Sequence, residues 1–89
     1  NGFELEMESA KTNYLNNTAS LAIVKKNREL ALEIARVSKV KYDNGIGSSL
    51  EVVDAESSLR EADANYLNTL YETIIARIDL DKASGNLNY

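Results

Sequence analysis

Apolar side chains recur every three or four residues along most of the chain. In the first arm, roughly residues 4–43, this spacing predicts an amphipathic α-helix, because side chains three and four residues apart share one helical face. Glu4, Glu6 and Glu8 are acids of the kind that favours a helix amino terminus. The apolar positions of this arm include Leu15, Ala19, Ala22, Ile23, Leu30, Ile34, Val37 and Val40.

The second arm, roughly residues 49–84, has two apolar stripes instead of one. Two helices packed on each other bury a single seam and form only a thin core. The second stripe therefore predicts further neighbours, either more helices of the same chain or other copies of it. The first stripe comprises Val52, Ala55, Leu59, Ala62, Tyr66 and Leu70, and the second comprises Val53, Ala64, Leu67, Tyr71, Ile74 and Ile78.

Residues 44–48 separate the two arms near the midpoint of the chain. Gly45 is expected to end the first helix, because glycine adopts a positive φ without a steric penalty. A two-residue β-hairpin turn at Asn44-Gly45 would need alternating strands on both sides, and neither flank alternates. Ser48 and Glu51 have capping-box spacing at the start of the second helix, and Gly85 is expected to cap its end. The predicted fold is all-α, a long antiparallel two-helix coiled-coil hairpin that packs with further helices by oligomerisation.

Charge is divided unevenly between the arms. Up to Asn44 the chain has seven basic and six acidic residues, and from Gly45 onward it has three basic and eight acidic residues, which gives the net charge of -4. A negative chain lacks the basic footprint that nucleic acid requires, so no nucleic acid partner is expected. Exposed ion pairs contribute only about 0–1 kcal/mol each, so pairs between the arms would set register more than stability. Folding at the tip would bring Lys39 and Lys41 near Glu51 and Asp54, and Arg36 near Glu56; the alternative is that these are merely solvated faces.

The chain of 89 residues has no Cys, His, Pro or Trp. Disulfides, thiolate zinc sites and histidine-dependent nucleophilic catalysis are thereby excluded. Paired carboxylates on exposed helices are most simply solvated charge. We therefore expect no enzyme, no catalytic residue, no cofactor and no metal. The longest apolar run, residues 21–24, is far shorter than the roughly 20 residues of a membrane-spanning helix, so the chain is either cytosolic or an internal piece of a larger protein.

The tip and the second arm resemble the TolC-type outer-membrane efflux proteins. About 45 residues match well, and the first arm matches more loosely. The matching positions are Tyr42-x-x-Gly45-x-x-Ser48, Leu50-Glu51-Val52-Val53-Asp54-Ala55, Leu59, Ala62, Asn65-Tyr66-Leu67, Tyr71, and Leu80-x-x-Ala83-x-Gly85-x-Leu87-Asn88. The alternative interpretation is a generic coiled-coil hairpin that serves as an oligomerisation or partner-binding module. Such a hairpin would not require these residues in this order.

The resemblance implies a periplasmic tunnel-tip hairpin of an efflux channel that exports small molecules. Members are homotrimers with β-strands in an outer-membrane barrel and two helical hairpins per protomer. The hairpin tips meet a periplasmic adaptor (membrane fusion) protein, which connects them to an inner-membrane pump. The chain resembles the second hairpin alone, so it is expected to be a fragment of a larger channel protein. Its location would be the periplasmic portion of an outer-membrane protein of a Gram-negative bacterium, with membrane contact only through the absent barrel.

The resemblance also assigns roles to positions at the tip. The residues that match the adaptor-docking tip are Gly45, Ile46, Gly47, Ser48, Ser49 and Leu50, and those that match the channel entrance are Tyr42, Glu51 and Asp54. In some members the acidic positions ring the entrance and favour cations. The best-known member has an arginine at the place of Gly47, so the gate-locking contacts of that arginine have no counterpart in this chain.

Overall fold

The chain folds into two long helices joined by a short loop. The structure, a computed structural model, describes residues 2–85, and the side chains of residues 5–85. Helix α1 spans Gly2–Asp43 and helix α2 spans Ser49–Ser84; no strand occurs in this part of the chain. At a rise of 1.5 Å per residue, the helices are about 60 and about 55 Å long. The prediction of a long two-helix hairpin is confirmed. Leu87 and Asn88 of the family pattern lie outside the described residues.

Helix α1 ends in a Schellman motif. Gly45 has a φ of 74°. Its N–H donates to the carbonyl of Tyr42 at 3.0 Å, and the N–H of Ile46 donates to the carbonyl of Lys41 at 2.9 Å. These two bonds satisfy carbonyls that the helix itself leaves without partners. The predicted left-handed glycine at this helix end is confirmed.

Helix α2 begins at a capping serine and ends at a left-handed glycine. The Ser48 side chain accepts a hydrogen bond from the Glu51 N–H at 3.2 Å. The reciprocal bond of a capping box, from the Ser48 N–H to the Glu51 carboxylate, is not formed among the described residues, because that carboxylate faces Lys41. At the other end Gly85 has a φ of 78° and its N–H donates to the carbonyls of Asp81 and Lys82, as expected of a helix cap.

Small side chains dominate the seam between the helices. Ala55, Thr73 and Ala76 of α2 are buried, and the rest of the predicted first stripe of α2 is half-buried against α1. Small residues let two helix backbones approach closely, but they bury little apolar area. From α1 the half-buried residues are Ala10, Tyr14, Asn17, Thr18, Leu21, Val24, Ala31, Ala35 and Ser38.

The predicted apolar stripe of α1 does not lie along this seam. Its large members are exposed: Leu15, Ile23, Leu30, Ile34, Val37 and Val40. The residues that do face α2 include Asn17, Val24, Ala31 and Ser38, which follow one another at seven-residue intervals. A seven-residue repeat keeps one face of a helix against its partner. Ile23, Leu30 and Val37 recur at the same interval, each one position before a seam residue, so the apolar stripe runs beside the seam and not along it.

The second stripe of α2 is exposed. Leu67, Tyr71 and Ile74 lie on the outside of the hairpin, together with Val53 and Ile78. Contiguous exposed apolar side chains of this extent are typical of a surface that another chain or element covers. The hairpin itself supplies no such cover within the described residues.

Polar contacts fix the register of the two helices. The Thr73 hydroxyl lies 3.3 Å from the carbonyl oxygen of Asn17 and 2.7 Å from that of Thr69 in its own helix. Further from the ends, the Arg28 guanidinium bonds to the Asp63 carboxylate and lies over the Tyr66 ring, 5.4 Å from its centroid. These contacts join α1 to α2 with antiparallel pairing.

Candidate partner-docking tip

The six residues of the predicted docking tip lie together at one end of the hairpin. Gly45, Ile46, Gly47 and Ser48 belong to the loop, and Ser49 and Leu50 form the first turn of α2. Gly47 is half-buried and the other five are exposed. The Ile46 side chain is 76% exposed and the Leu50 side chain is 66% exposed, so two apolar groups project from the apex. An exposed apolar pair at the apex, one residue on the loop and one on the adjoining helix turn, is suited to contact with another protein.

The loop is held by the end of α1. The Lys41 carbonyl accepts hydrogen bonds from the N–H groups of Asn44, Ile46 and Gly47, at 3.2, 2.9 and 3.2 Å. The Asn44 side-chain amide donates to the carbonyl of Val40 at 2.7 Å. Loop and helix end are therefore one hydrogen-bonded unit, and the tip presents a defined surface.

Gly47 lies where the loop passes closest to the two helices. A Cβ atom at this position would lie 3.2 Å from the Lys41 Cβ and 3.3 Å from the Tyr42 backbone nitrogen. Both distances are shorter than ordinary van der Waals contact, and the second involves backbone that does not move freely. The absence of a side chain at Gly47 thus lets the loop fold down onto α1.

The two acidic residues of the predicted entrance lie on one face of the hairpin. Glu51 and Asp54 line the same groove near the tip, about 540 Å³ in volume. Tyr42 is exposed and is not among the residues that line this groove. The structure therefore brings together two of the three predicted entrance residues. The remaining lining residues are Asn27, Leu30, Ala31, Ile34, Ser38, Ala55 and Ser58.

The opposite face has a different electrostatic character. Its groove is lined by three basic side chains, Arg36, Lys39 and Arg60, together with Glu56 and Asp63. The groove that contains Glu51 and Asp54 is lined by no Lys or Arg. The two faces of the hairpin are thus distinct, one acidic and one of mixed charge.

Only part of the predicted charge pairing between the arms is formed. Lys41 Nζ lies 3.4 Å from Glu51 Oε2, as the sequence predicts. Arg36 lines a groove with Glu56, but its guanidinium bonds to Glu33, three residues earlier in the same helix. Within the described residues, Lys39 and Asp54 form no ion pair.

Two exposed arginines take part in surface contacts that shift pKa values. The hydrogen bond and the charge of Arg36 lower the pKa of the Glu33 carboxyl, and the same contacts raise the pKa of Arg36. The pKa of Arg77 is raised, chiefly by its contact with Tyr14 and then by the charge of Asp81. Both arginine side chains are mostly exposed, so these shifts reflect contacts on the helix surface.

Lys41 and Asn44 hold the tip loop through backbone and side-chain hydrogen bonds that the sequence analysis does not predict. Lys41 is identifiable beforehand only as one of several bases opposite Glu51. Asn44 precedes a left-handed glycine, and asparagine at such a helix end is a common donor to the last turn's carbonyls, which is a usable signal.

The comparison with protein families decides what kind of chain this is. The family model described as outer membrane efflux protein matches residues 5–86. The chain belongs to the outer membrane efflux protein family. The resemblance drawn from the tip and second arm is therefore confirmed, and the hairpin is part of an outer-membrane efflux channel. Comparisons with curated proteins and with solved structures give no match.

The efflux family is a family of transport channels, and the surface of this hairpin suits that class. In the described part of the chain, no cluster of acidic, cysteine or histidine side chains has an arrangement that would hold a metal ion. Neither helix, over the same residues, has the length of apolar sequence that crossing a bilayer requires. The notable features of the hairpin are on its surface: an apolar apex, a groove beside it that contains Glu51 and Asp54, and exposed apolar stripes along the helices.

Proposed function

We propose that this hairpin is the periplasmic tunnel tip of the efflux channel, where it docks a periplasmic adaptor protein and lines the channel entrance for export of small molecules. The observation that supports the proposal is the apex. Ile46, on the loop, and Leu50, in the first turn of α2, are highly exposed, and the Lys41 carbonyl ties the loop backbone to α1. Preorganised exposed apolar groups lose little conformational entropy when a partner covers them.

The wider assembly is part of the same proposal. The chain is one hairpin of a larger channel protein that forms a homotrimer, and the adaptor connects it to an inner-membrane pump. The exposed second stripe of α2, with Leu67, Tyr71 and Ile74, supports the presence of neighbouring helices. Glu51, Asp54 and Tyr42 are assigned to the entrance. Glu51 and Asp54 support this assignment because both line one groove near the tip.

Binding to candidate adaptor hairpins tests the docking role. The full-length channel protein, and separately this hairpin, are titrated with adaptor hairpins by calorimetry. Replacement of Gly45 or Ser48 by a bulky residue, and Ile46→Ser, are expected to weaken binding while the helix content measured by circular dichroism stays the same. Ile23→Ser is the matched control, because Ile23 is also an exposed isoleucine but lies in the middle of α1.

The outcomes separate the two interpretations of the hairpin. Loss of binding for the tip variants alone supports a docked tip. Equal loss for Ile23→Ser and Ile46→Ser points to a generic coiled-coil surface that binds along its length. Absence of binding between the intact channel protein and every adaptor contradicts the docking role. Failure of the isolated hairpin alone shows that the docking surface needs the assembled trimer.

A further inference from the structure

Several features of the tip converge on one residue, Lys41. Its carbonyl accepts the N–H groups of Asn44, Ile46 and Gly47. Its Cβ is the atom nearest to the place that a Gly47 side chain would occupy, at 3.2 Å. Its Nζ lies 3.4 Å from Glu51 Oε2. The same residue thus shapes the loop and contacts a carboxylate of the acidic groove.

The Lys41–Glu51 contact joins the two helix ends where each charge is most favourable. Lys41 lies in the last turn of α1 and Glu51 in the first turn of α2. A cation near a helix carboxy terminus and an anion near an amino terminus are both stabilised by the helix dipoles. A Cβ atom at Gly47 would also lie 3.5 Å from Glu51 Oε2. The loop therefore borders the Lys41–Glu51 ion pair on one side.

Lys41 is distinct from its basic neighbour. Lys39 lines the mixed-charge groove on the opposite face, with Arg36 and Glu56. Asp54 lines the acidic groove beside Glu51 and forms no ion pair within the described residues. Lys41 is therefore the base that contacts the acidic pair, and it contacts one member of it.

We propose that Lys41 is a positioning residue for the entrance: it holds the Glu51 carboxylate against the tip loop and offsets its charge, leaving Asp54 as the principal cation-attracting group. This inference depends on the proposed function, in which Glu51 and Asp54 line the channel entrance. Lys41 then sets how strongly the entrance favours cations, a property that the acidic residues alone would not determine.

The contact itself is tested on the 89-residue chain by nuclear magnetic resonance of the glutamate side-chain carboxyl carbons. Lys41→Met removes the charge and keeps the aliphatic part of the side chain and the backbone carbonyl. It is expected to shift the Glu51 carboxyl resonance, whereas the control Lys39→Met leaves it unchanged. A Glu51 resonance that is equally insensitive to both variants overturns the proposed contact.

The role in the entrance is tested in the full-length channel protein in planar bilayers, by the reversal potential in a salt gradient. Lys41→Met is expected to raise the cation-to-anion permeability ratio about twofold or more, since an uncompensated carboxylate acts on nearby ions. Lys41→Arg and Lys39→Met are expected to keep the wild-type ratio. In a Glu51→Gln background the effect of Lys41→Met is expected to shrink, because the partner is absent.

The outcomes of the bilayer experiment distinguish the role of Lys41 from the proposed function. A permeability ratio unchanged by Lys41→Met, or raised equally by Lys39→Met, in a channel that conducts normally, overturns the role of Lys41 and leaves the proposed function standing. An effect of the same size with and without Glu51 shows a general charge effect and also overturns the positioning role. A protein that forms no conducting channel contradicts the proposed function itself, and with it the entrance role.

Discussion

The conformation of the tip depends on a few backbone positions, and Gly45 is the first of them. Its φ of 74° lies in the left-handed region, where a Cβ atom approaches the following carbonyl oxygen. No neighbouring atom lies within 4 Å of a Cβ built at Gly45. The requirement for glycine there is therefore conformational and does not come from crowding.

Gly45→Ala is expected to lower the free energy of unfolding of the hairpin by about 1 kcal/mol, the cost of a left-handed residue that has a Cβ. Gly45→Asn is the matched variant and is expected to cost less, because asparagine tolerates this conformation. Urea denaturation followed by circular dichroism measures both. Equal stability of the alanine variant and the wild type would contradict the conformational explanation.

Ser48 caps α2, and its neighbour Ser49 provides a control of the same chemistry. Ser48→Ala removes the acceptor of the Glu51 N–H, so it is expected to cost about 1 kcal/mol of unfolding free energy. Ser49→Ala lies inside the first turn and is expected to change stability by less than about 0.5 kcal/mol. Thermal and urea unfolding of the two variants compare them directly. A larger loss at Ser49 than at Ser48 would show that the cap is misassigned.

At the residue scale the sequence predicts backbone roles better than side-chain partners. The spacing of Gly45, Ser48 and Gly85 indicates the two helix ends at the tip and the cap beyond α2, because each role is set by local chemistry. The capping box is only half correct. Glu51 has the right spacing to reach back to Ser48, but the folded hairpin offers it Lys41, and no local pattern shows which partner prevails.

At the scale of the helices, the seam is made mainly of small residues. Ala76 is only 1% exposed, and Ala55 and Thr73 are the other buried residues of α2. Close approach of two backbones leaves no room for a larger side chain there. Stability of the pair is then sensitive to volume added at the seam and insensitive to volume added outside it.

Ala76→Leu is expected to lower the free energy of unfolding by about 1–3 kcal/mol, because overpacking forces side chains from their preferred rotamers or moves the backbone. Ala64→Leu is the matched control. Ala64 is an exposed alanine of the same helix, so the same substitution there is expected to change stability by less than about 0.5 kcal/mol. Urea denaturation of both variants provides the comparison. Equal losses at the two positions would contradict the seam described for α2.

The two helices differ in how well their inward faces can be predicted. In α2 the stripe from Val52 to Leu70 predicts the part of the seam nearer the tip, because its residues are buried or half-buried, whereas the buried Thr73 and Ala76 lie beyond its end. In α1 the large apolar residues, such as Leu30 and Ile34, point outward, and the seam contains Asn17 and Ser38. Hydrophobicity identifies faces that become buried somewhere, and it does not identify which neighbour buries them.

At the scale of the whole molecule, the hairpin exposes more large apolar side chains than its own seam buries. Among residues 5–85 none of the buried residues is large, whereas Leu15, Ile23, Leu30 and Ile46 are all more than half exposed. A pair of helices with so thin a core has little stability of its own. Membership of the efflux family is consistent with this, since a channel wall places helices side by side.

The exposed second stripe of α2 is expected to drive self-association of the isolated chain. The triple variant Leu67→Ser, Tyr71→Ser and Ile74→Ser removes its most central side chains and is expected to shift the chain toward monomer in sedimentation velocity. In the wild type the midpoint of thermal unfolding is expected to rise with protein concentration, because association stabilises the folded state by mass action. The triple variant should lose that dependence.

A control with Asn68→Ser and Glu72→Gln, two polar exposed positions of the same helix, should keep the dependence on concentration. A wild-type chain that is monomeric at high concentration, with a midpoint independent of concentration, would show that the stripe needs a different partner from a second copy of this hairpin.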